Sequence, residues 1–230
     1  MISWNDITRI GDSVVMMPAA AMIVAWLLAA RAGRLALCWC LMFGGALACV
    51  LATKIAFIGW GVGIRALDFT GLSGHAMRAW AVLPVLAYLM LRHAPPRWRI
   101  AGLAMGGGLA ALVGISRVVV HAHSISEALA GSLLGALASL SFIRLCQALP
   151  SLALSRRLLA LGLLALLPTS QASPAPTHGW VTGMALYLSG HESPYRRKDW
   201  LTTGLARGPA GMDRNSKRSY STSSSISPRE

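Results

Sequence analysis

Two short clusters hold ionisable side chains that interrupt an otherwise apolar chain of 230 residues. One is Gly71-Leu72-Ser73-Gly74-His75, with Lys54 and Arg65 upstream; the other is Ser116-Arg117, followed by His121, His123 and Glu127. Lys54, Arg65 and Arg117 supply positive charge for an anion bearing more than one negative charge, and a guanidinium offers a fork that matches phosphate oxygens. The Ser73-Gly74 turn, read as the entry to a helix, presents backbone N–H groups to the same anion. Two histidines allow attack and protonation to be divided between them. His123 and Glu127 are four residues apart, so on a helix they share a face. A carboxylate there keeps one ring nitrogen protonated and leaves the other free to attack, while His75 protonates the departing alkoxide. Such a set is an apparatus for cleaving a phosphoester without a metal ion.

The spacing carries a family resemblance. Ser116-Arg117, five residues, His123, three residues and Glu127 resemble the third signature of the type 2 phosphatidic acid phosphatase superfamily, Ser-Arg-x5-His-x3-Asp. Ser73-Gly74-His75 is similar to the second signature, Pro-Ser-Gly-His, and Lys54 to the opening lysine of the first. The resemblance implies a bundle of six membrane helices and a phosphohistidine mechanism. By the same implication His123 is the nucleophile, Glu127 orients it, His75 is the general acid, and Lys54, Ser73, Gly74 and Arg117 bind phosphate. Three positions depart from the pattern. Residue 127 is Glu rather than Asp, one methylene longer, and residue 72 is Leu rather than Pro. Seven residues after Lys54, where the family has Arg-Pro, this chain has Gly61-Val62. Arg65, eleven residues on, is the nearest substitute, and Arg65 and Arg78 are each read as either a ligand or an interface anchor. His121, two residues from His123, is expected to be structural or loop-exposed.

These residues need a membrane scaffold, which the composition supplies. Hydrophobic residues make up 55% of the chain and charged ones 13%, at a mean hydropathy of +0.56. Soluble domains carry about 25% charged residues, so an ordinary soluble globule is excluded, as is a disordered chain. The net charge of +13 divides into +9 for residues 1–170 and +4 for residues 171–230. In so apolar a chain it reads as basic loops on one membrane face, a basic tail and an anion site, not as nucleic-acid binding. All four cysteines lie in apolar runs, against a disulfide framework.

Spans of roughly 20 apolar residues are read at residues 13–30, 35–53, 79–91 (extended through His75–Arg78 if that turn is helical), 100–115 and 125–143. A marginal sixth lies at 158–167. The expected fold is therefore all-α, a polytopic membrane bundle over residues 1–170. A polar, basic tail follows over 171–230, serine-rich and disordered at its end, with the aromatic part near residues 178–201 packing or lying on the membrane. Arg31 and Arg34, then Arg92, Arg97 and Arg99, then Arg144, Arg156 and Arg157 fall in loops on one side. That side is expected to be cytoplasmic, leaving both clusters on the non-cytoplasmic face of a plasma (inner) membrane.

The reading is thus a membrane hydrolase of lipid phosphate or diphosphate monoesters, acting without a cofactor or metal among membrane lipids. Three rivals compete with it. Gly71-Leu72-Ser73-Gly74 and Ala122-His123 with Gly131 and Gly135 also resemble the rhomboid intramembrane proteases, with a Ser73/His123 dyad. His121, His123 and Glu127 could instead hold a metal. A non-catalytic protein that binds or transports lipid phosphates would keep the anion site alone.

Overall fold

The computed structural model describes residues 3–148, 164 and 177–200. Among these described residues seven α-helices follow one another: α1 (Trp4–Ile10), α2 (Ser13–Ala29), α3 (Gly33–Trp60), α4 (Gly74–Leu91), α5 (Pro96–Val119), α6 (Ile125–Gln147) and α7 (Thr177–Ser189). Among the described residues, five segments are long and apolar enough to cross a membrane: Trp4–Ala29, Gly33–Trp60, Gly74–Leu91, Pro96–Val119 and Ile125–Gln147. The all-α membrane bundle expected from composition is the fold observed. The sixth span expected at 158–167, apart from residue 164, and the serine-rich end of the tail lie outside the described residues.

Local chemistry sets the helix limits. Asp12 caps α2 by accepting the Val14 N–H at 3.1 Å. Pro96 opens α5 at a position where its missing N–H costs nothing. Gly61, in the left-handed conformation at φ 69°, stops α3, with its N–H on the Phe57 carbonyl at 2.8 Å. Helix α3 therefore runs past residue 53, where the charge-free stretch ends, and carries Lys54 within its length. One charge does not break a helix, because the apolar residues that follow continue the turn. For the same reason α5 continues through Arg117 to Val119.

Alternating directions bring the starts of α2, α4 and α6 and the ends of α3 and α5 to one end of the bundle. The arginine-rich connections after α2, α4 and α6 lie at the other. Helix α4 is central: two-thirds of its span is buried, against about one-third for the other four. It lies between α5 and α6 and also touches α2 and α3. Glycines on α6 let it approach α4 closely. A Cβ on Gly131 would sit 2.5 Å from the Ser73 carbonyl oxygen, and one on Gly135 would overlap the Met77 carbonyl. On α6 the opposite side bears exposed Leu129, Leu133 and Leu137, at a spacing that forms one lipid-facing stripe. Away from the clusters, Trp39 stacks on Phe43, meets Phe142, and donates to the Ala20 carbonyl at 3.1 Å.

Helix α7 lies along α3. The segment after it closes the end of α3: Tyr195 N–H donates to the Ile58 carbonyl at 2.9 Å, and His191 Nδ1 stands 2.7 Å from the Gly59 carbonyl. Carbonyls that a helix end would leave unpaired are satisfied there.

Candidate active site

Glu127 is the organising residue. It occupies the first turn of α6 and is fully buried. Its N–H donates to Ser124 Oγ at 3.3 Å, and its Oε2 accepts the Ser124 N–H at 3.2 Å, a reciprocal cap. The same oxygen meets His123 Nδ1 at 2.7 Å. Oε1 accepts the N–H of Thr70 at 2.7 Å and its hydroxyl at 2.5 Å. Four donors on a buried carboxylate are what offsets the cost of removing it from water. The methylene that distinguishes Glu from Asp lets one side chain reach back to Ser124 and His123 while also holding the Thr70 loop.

The pair is not formed on a helix face. His123 precedes the cap residue Ser124 and lies in the turn between α5 and α6. That turn is tight: His121 takes a left-handed φ of 55°, and the N–H groups of Ala122 and His123 both donate to the Arg117 carbonyl, at 3.0 and 3.1 Å. His123 is thereby folded back toward Arg117, while His121 is exposed. A carboxylate only accepts, so His123 Nδ1 carries the proton and Nε2 keeps its lone pair. Burial holds His123 below its ordinary value of 6.5. The Glu127 hydrogen bond opposes this, and the charges of Lys54 and Arg117 reinforce it. The ring is neutral at neutral pH.

Helix α4 brings the second cluster beside the first. Ser73 is its cap residue, and the Ser73 N–H donates to the Glu127 carbonyl at 3.1 Å. That N–H is consumed, so the donors the turn can offer are the Ser73 hydroxyl and the N–H groups of the first turn. Ser73 Oγ is buried without a partner, so the Ser73/His123 dyad of a serine protease is not formed. Gly71, at φ 149°, lies against the Lys54 stem: a Cβ there would be 3.3 Å from Lys54 Cγ. Thr53 Oγ1 accepts the Leu72 N–H at 3.1 Å and ties the same loop to α3. The charges of Arg78, Arg117 and Glu127 all act on Lys54.

Arg65 and Arg78 are separated by the fold. Arg65 is exposed on a 3-10 turn (Arg65–Leu67) outside α3. Gly61 and Val62, which stand where the family has Arg-Pro, form the end of α3 and bring no cation. Arg78 is buried, with Nη2 donating to the Gly11 carbonyl at 3.2 Å. Its Nη1 lies 3.2 Å from where a Gly74 Cβ would be, and its Nε has no partner. Arg117 Nε is likewise buried and unpartnered. Orphaned donors from Ser73, Arg78 and Arg117 on neighbouring elements, with the charge of Lys54 acting among them, are groups that could hold a multivalent anion.

Spacing alone did not reveal Thr70 or Asp12 in these positions, and left Arg78 open between ligand and interface anchor. Asp12 Oδ2 lies 3.7 Å from His75 Nε2, while Thr8 Oγ1 and Ser116 Oγ are 2.7 Å apart. Asp12 caps α2, and no spacing in the sequence points from it to α4. Among the described residues, no group of three or more His, Cys, Asp and Glu side chains is placed to hold a metal ion. Chemically, the arrangement pairs one neutral, oriented imidazole with a second histidine and a concentrated positive charge.

The model of the PAP2 superfamily matches residues 63–150, a stretch that includes Ser73, His75, Arg78, Arg117, His123 and Glu127 but begins after Asp12 and Lys54. A Klebsiella pneumoniae protein described as "Uncharacterized 22.5 kDa protein in cps region" is 39% identical over 203 residues, 86% of this chain and 97% of that protein. Phosphatidylglycerophosphatase B of Bacillus subtilis (strain 168) is 39% identical over 72 residues, 30% of this chain and 36% of that protein. The crystal structure of a transmembrane PAP2 type phosphatidylglycerolphosphate phosphatase from Bacillus subtilis superposes with a TM-score of 0.50 at 26% identity, over 64% of this chain and 76% of that one.

Proposed function

Since the chain belongs to the PAP2 superfamily of membrane phosphatases, we propose that it hydrolyses a lipid phosphate monoester through a phosphohistidine at His123. The observation that carries this reading is the 2.7 Å contact of His123 Nδ1 with the buried Glu127, under the charges of Lys54 and Arg117. In the first step His123 Nε2 attacks phosphorus, the bond from phosphorus to the lipid oxygen breaks, and His75 gives its proton to that oxygen. In the second, a water oxygen bonds to phosphorus and loses a proton to His75. The bond to His123 breaks and phosphate leaves. Lys54, Arg117 and Arg78 hold the phosphoryl oxygens with Ser73 and the first turn of α4 at Gly74, in a low-dielectric site where fixed charge counts most. The three cations supply the charge that a metal would otherwise bring, so hydrolysis proceeds with chelator present.

The substrate proposed first is phosphatidylglycerophosphate, the lipid acted on by the Bacillus relatives, with phosphatidate and a polyprenyl diphosphate as the comparators. The site opens at the end of the bundle opposite the arginine-rich connections. By the distribution of positive charge this is the non-cytoplasmic face of the plasma membrane. The test is phosphate release by the purified full chain in detergent, with a chelator present, across those three lipids and with His123→Ala as the blank. Release by the wild type alone is expected. A wild type that binds but hydrolyses none of them would make this a lipid-phosphate carrier, and a His123→Ala variant that still turns over would dismiss the mechanism.

A further inference from the structure

The turn that joins α1 to α2 reaches into the site from outside both motif clusters. Gly11 is buried there: a Cβ on it would stand 2.5 Å from Val113 Cγ1 and 3.2 Å from the His75 carbonyl oxygen. With no side chain at residue 11, the backbone comes close enough to accept Arg78 Nη2 at 3.2 Å. The next residue, Asp12, then reaches His75. Its two oxygens have different partners: Oδ1 accepts the Val14 N–H at 3.1 Å, and Oδ2 lies 3.7 Å from His75 Nε2. Thr8, one turn earlier, bonds Ser116 at 2.7 Å and fixes α1 on α5. Three polar ties thus join one N-terminal turn to α4 and α5.

We propose that Asp12 is a positioning residue for the second histidine, holding the His75 ring and stabilising its imidazolium form. The proposal rests on the phosphatase reading above, in which His75 gives a proton to the leaving oxygen and then accepts one from water. Its charged form appears once in every turnover, and a fixed carboxylate at Nε2 is the group suited to support it. The other charges acting on His75 are Arg78, one turn along α4, and Arg117 of α5. Both oppose an imidazolium, which makes the Asp12 carboxylate the counterweight. The 3.7 Å separation suits a contact that tightens when the proton moves.

The substitution Asp12→Asn separates this role from helix capping, because asparagine caps as well as aspartate but carries no charge. On the lipid phosphate that the wild type hydrolyses, kcat falls about 10- to 100-fold with KM changed less than about two-fold. The alkaline limb of the kcat profile moves to lower pH, a change that loss of a cap would not cause. Asp12→Ser, also a good cap without charge, behaves like Asp12→Asn, and Asp12→Glu recovers part of the rate. Asp6→Asn, at the exposed cap of α1, keeps wild-type kinetics. Wild-type kcat and pH profile in Asp12→Asn, or a rise in KM alone, would overturn the proposal while leaving the phosphatase reading intact. That reading fails by a different sign: the wild type itself releases no phosphate, and the positioning role falls with it.

Discussion

His123 meets its carboxylate at 2.7 Å within four residues of chain, whereas His75 meets Asp12 at 3.7 Å, sixty-three residues away. Glu127 is fully buried, and both of its oxygens are occupied by donors from Thr70, Ser124 and His123; the His75 and Asp12 side chains each keep about a fifth of their surface. The first pair is closed and built by one helix cap, and the second is open and assembled by the docking of α1–α2. The contrast fits the two tasks proposed for these histidines. A nucleophile needs one tautomer fixed before substrate arrives, while a group that gives and takes a proton needs a partner that tolerates both forms.

The largest effect expected from breaking this comparison is at the closed pair. Glu127→Gln keeps the shape but presents a donor where His123 Nδ1 requires an acceptor, and kcat falls about 10³-fold or more, on the scale of losing a triad carboxylate. Glu127→Asp restores the residue of the family pattern yet shortens the arm that spans Ser124, His123 and Thr70, so its kcat lies between the two. If Glu127→Asp equals the wild type, the four-donor account of Glu127 is wrong.

Next in size are the cations. Arg117→Gln and Arg78→Gln each lower kcat/KM about 10²-fold, the cost of one donor to developing charge in a dry site. Arg78→Gln costs more than Arg65→Gln. The reverse order in steady-state kinetics would return the missing first-signature role to Arg65.

A pH profile sharpens the comparison without mutation. Because burial holds His123 below its ordinary value of 6.5, the ring takes up a proton only at lower pH. Activity that needs its lone pair is then intact at pH 7, and the acid limb of kcat/KM has its midpoint below 6.5. A midpoint at or above 6.5 would show that the Glu127 hydrogen bond outweighs burial. The smallest effect is at Thr70. Thr70→Val removes the 2.5 Å hydroxyl bond to Glu127 and leaves the backbone one, so kcat falls about five-fold, the worth of one hydrogen bond.

Sequence spacing exposes the closed pair and hides the open one, for a physical reason. His123 and Glu127 are joined by local chain geometry, and Ser73-Gly74-His75 is contiguous, so both leave a short-range imprint. Even there the geometry differed from the helix face expected, because Ser124 and Glu127 form a reciprocal cap and leave His123 outside α6. The five spans were legible from apolar run lengths, though α3 and α5 run on through Lys54 and Arg117. Arg78, Thr70 and Asp12 owe their places to packing between helices: Gly11 against Val113, Gly131 against Ser73, and the Gly71 turn against Lys54. Such approaches depend on glycines far apart in the chain, and no periodicity announces them. The substitution of Gly61-Val62 for Arg-Pro was visible at once, but its consequence was not. The left-handed Gly61 ends α3 without a cation, and the buried Arg78 of α4 lies instead beside Gly74.

In the proposed mechanism His123 is the nucleophile and becomes covalently phosphorylated. The direct measurement is rapid quenching of the purified full chain with phosphatidylglycerophosphate labelled in its terminal phosphate, followed by mapping of acid-labile label on the protein. Label on His123 in the wild type and none in His123→Ala is the predicted result; steady hydrolysis with no labelled protein, or label on another residue, would contradict it.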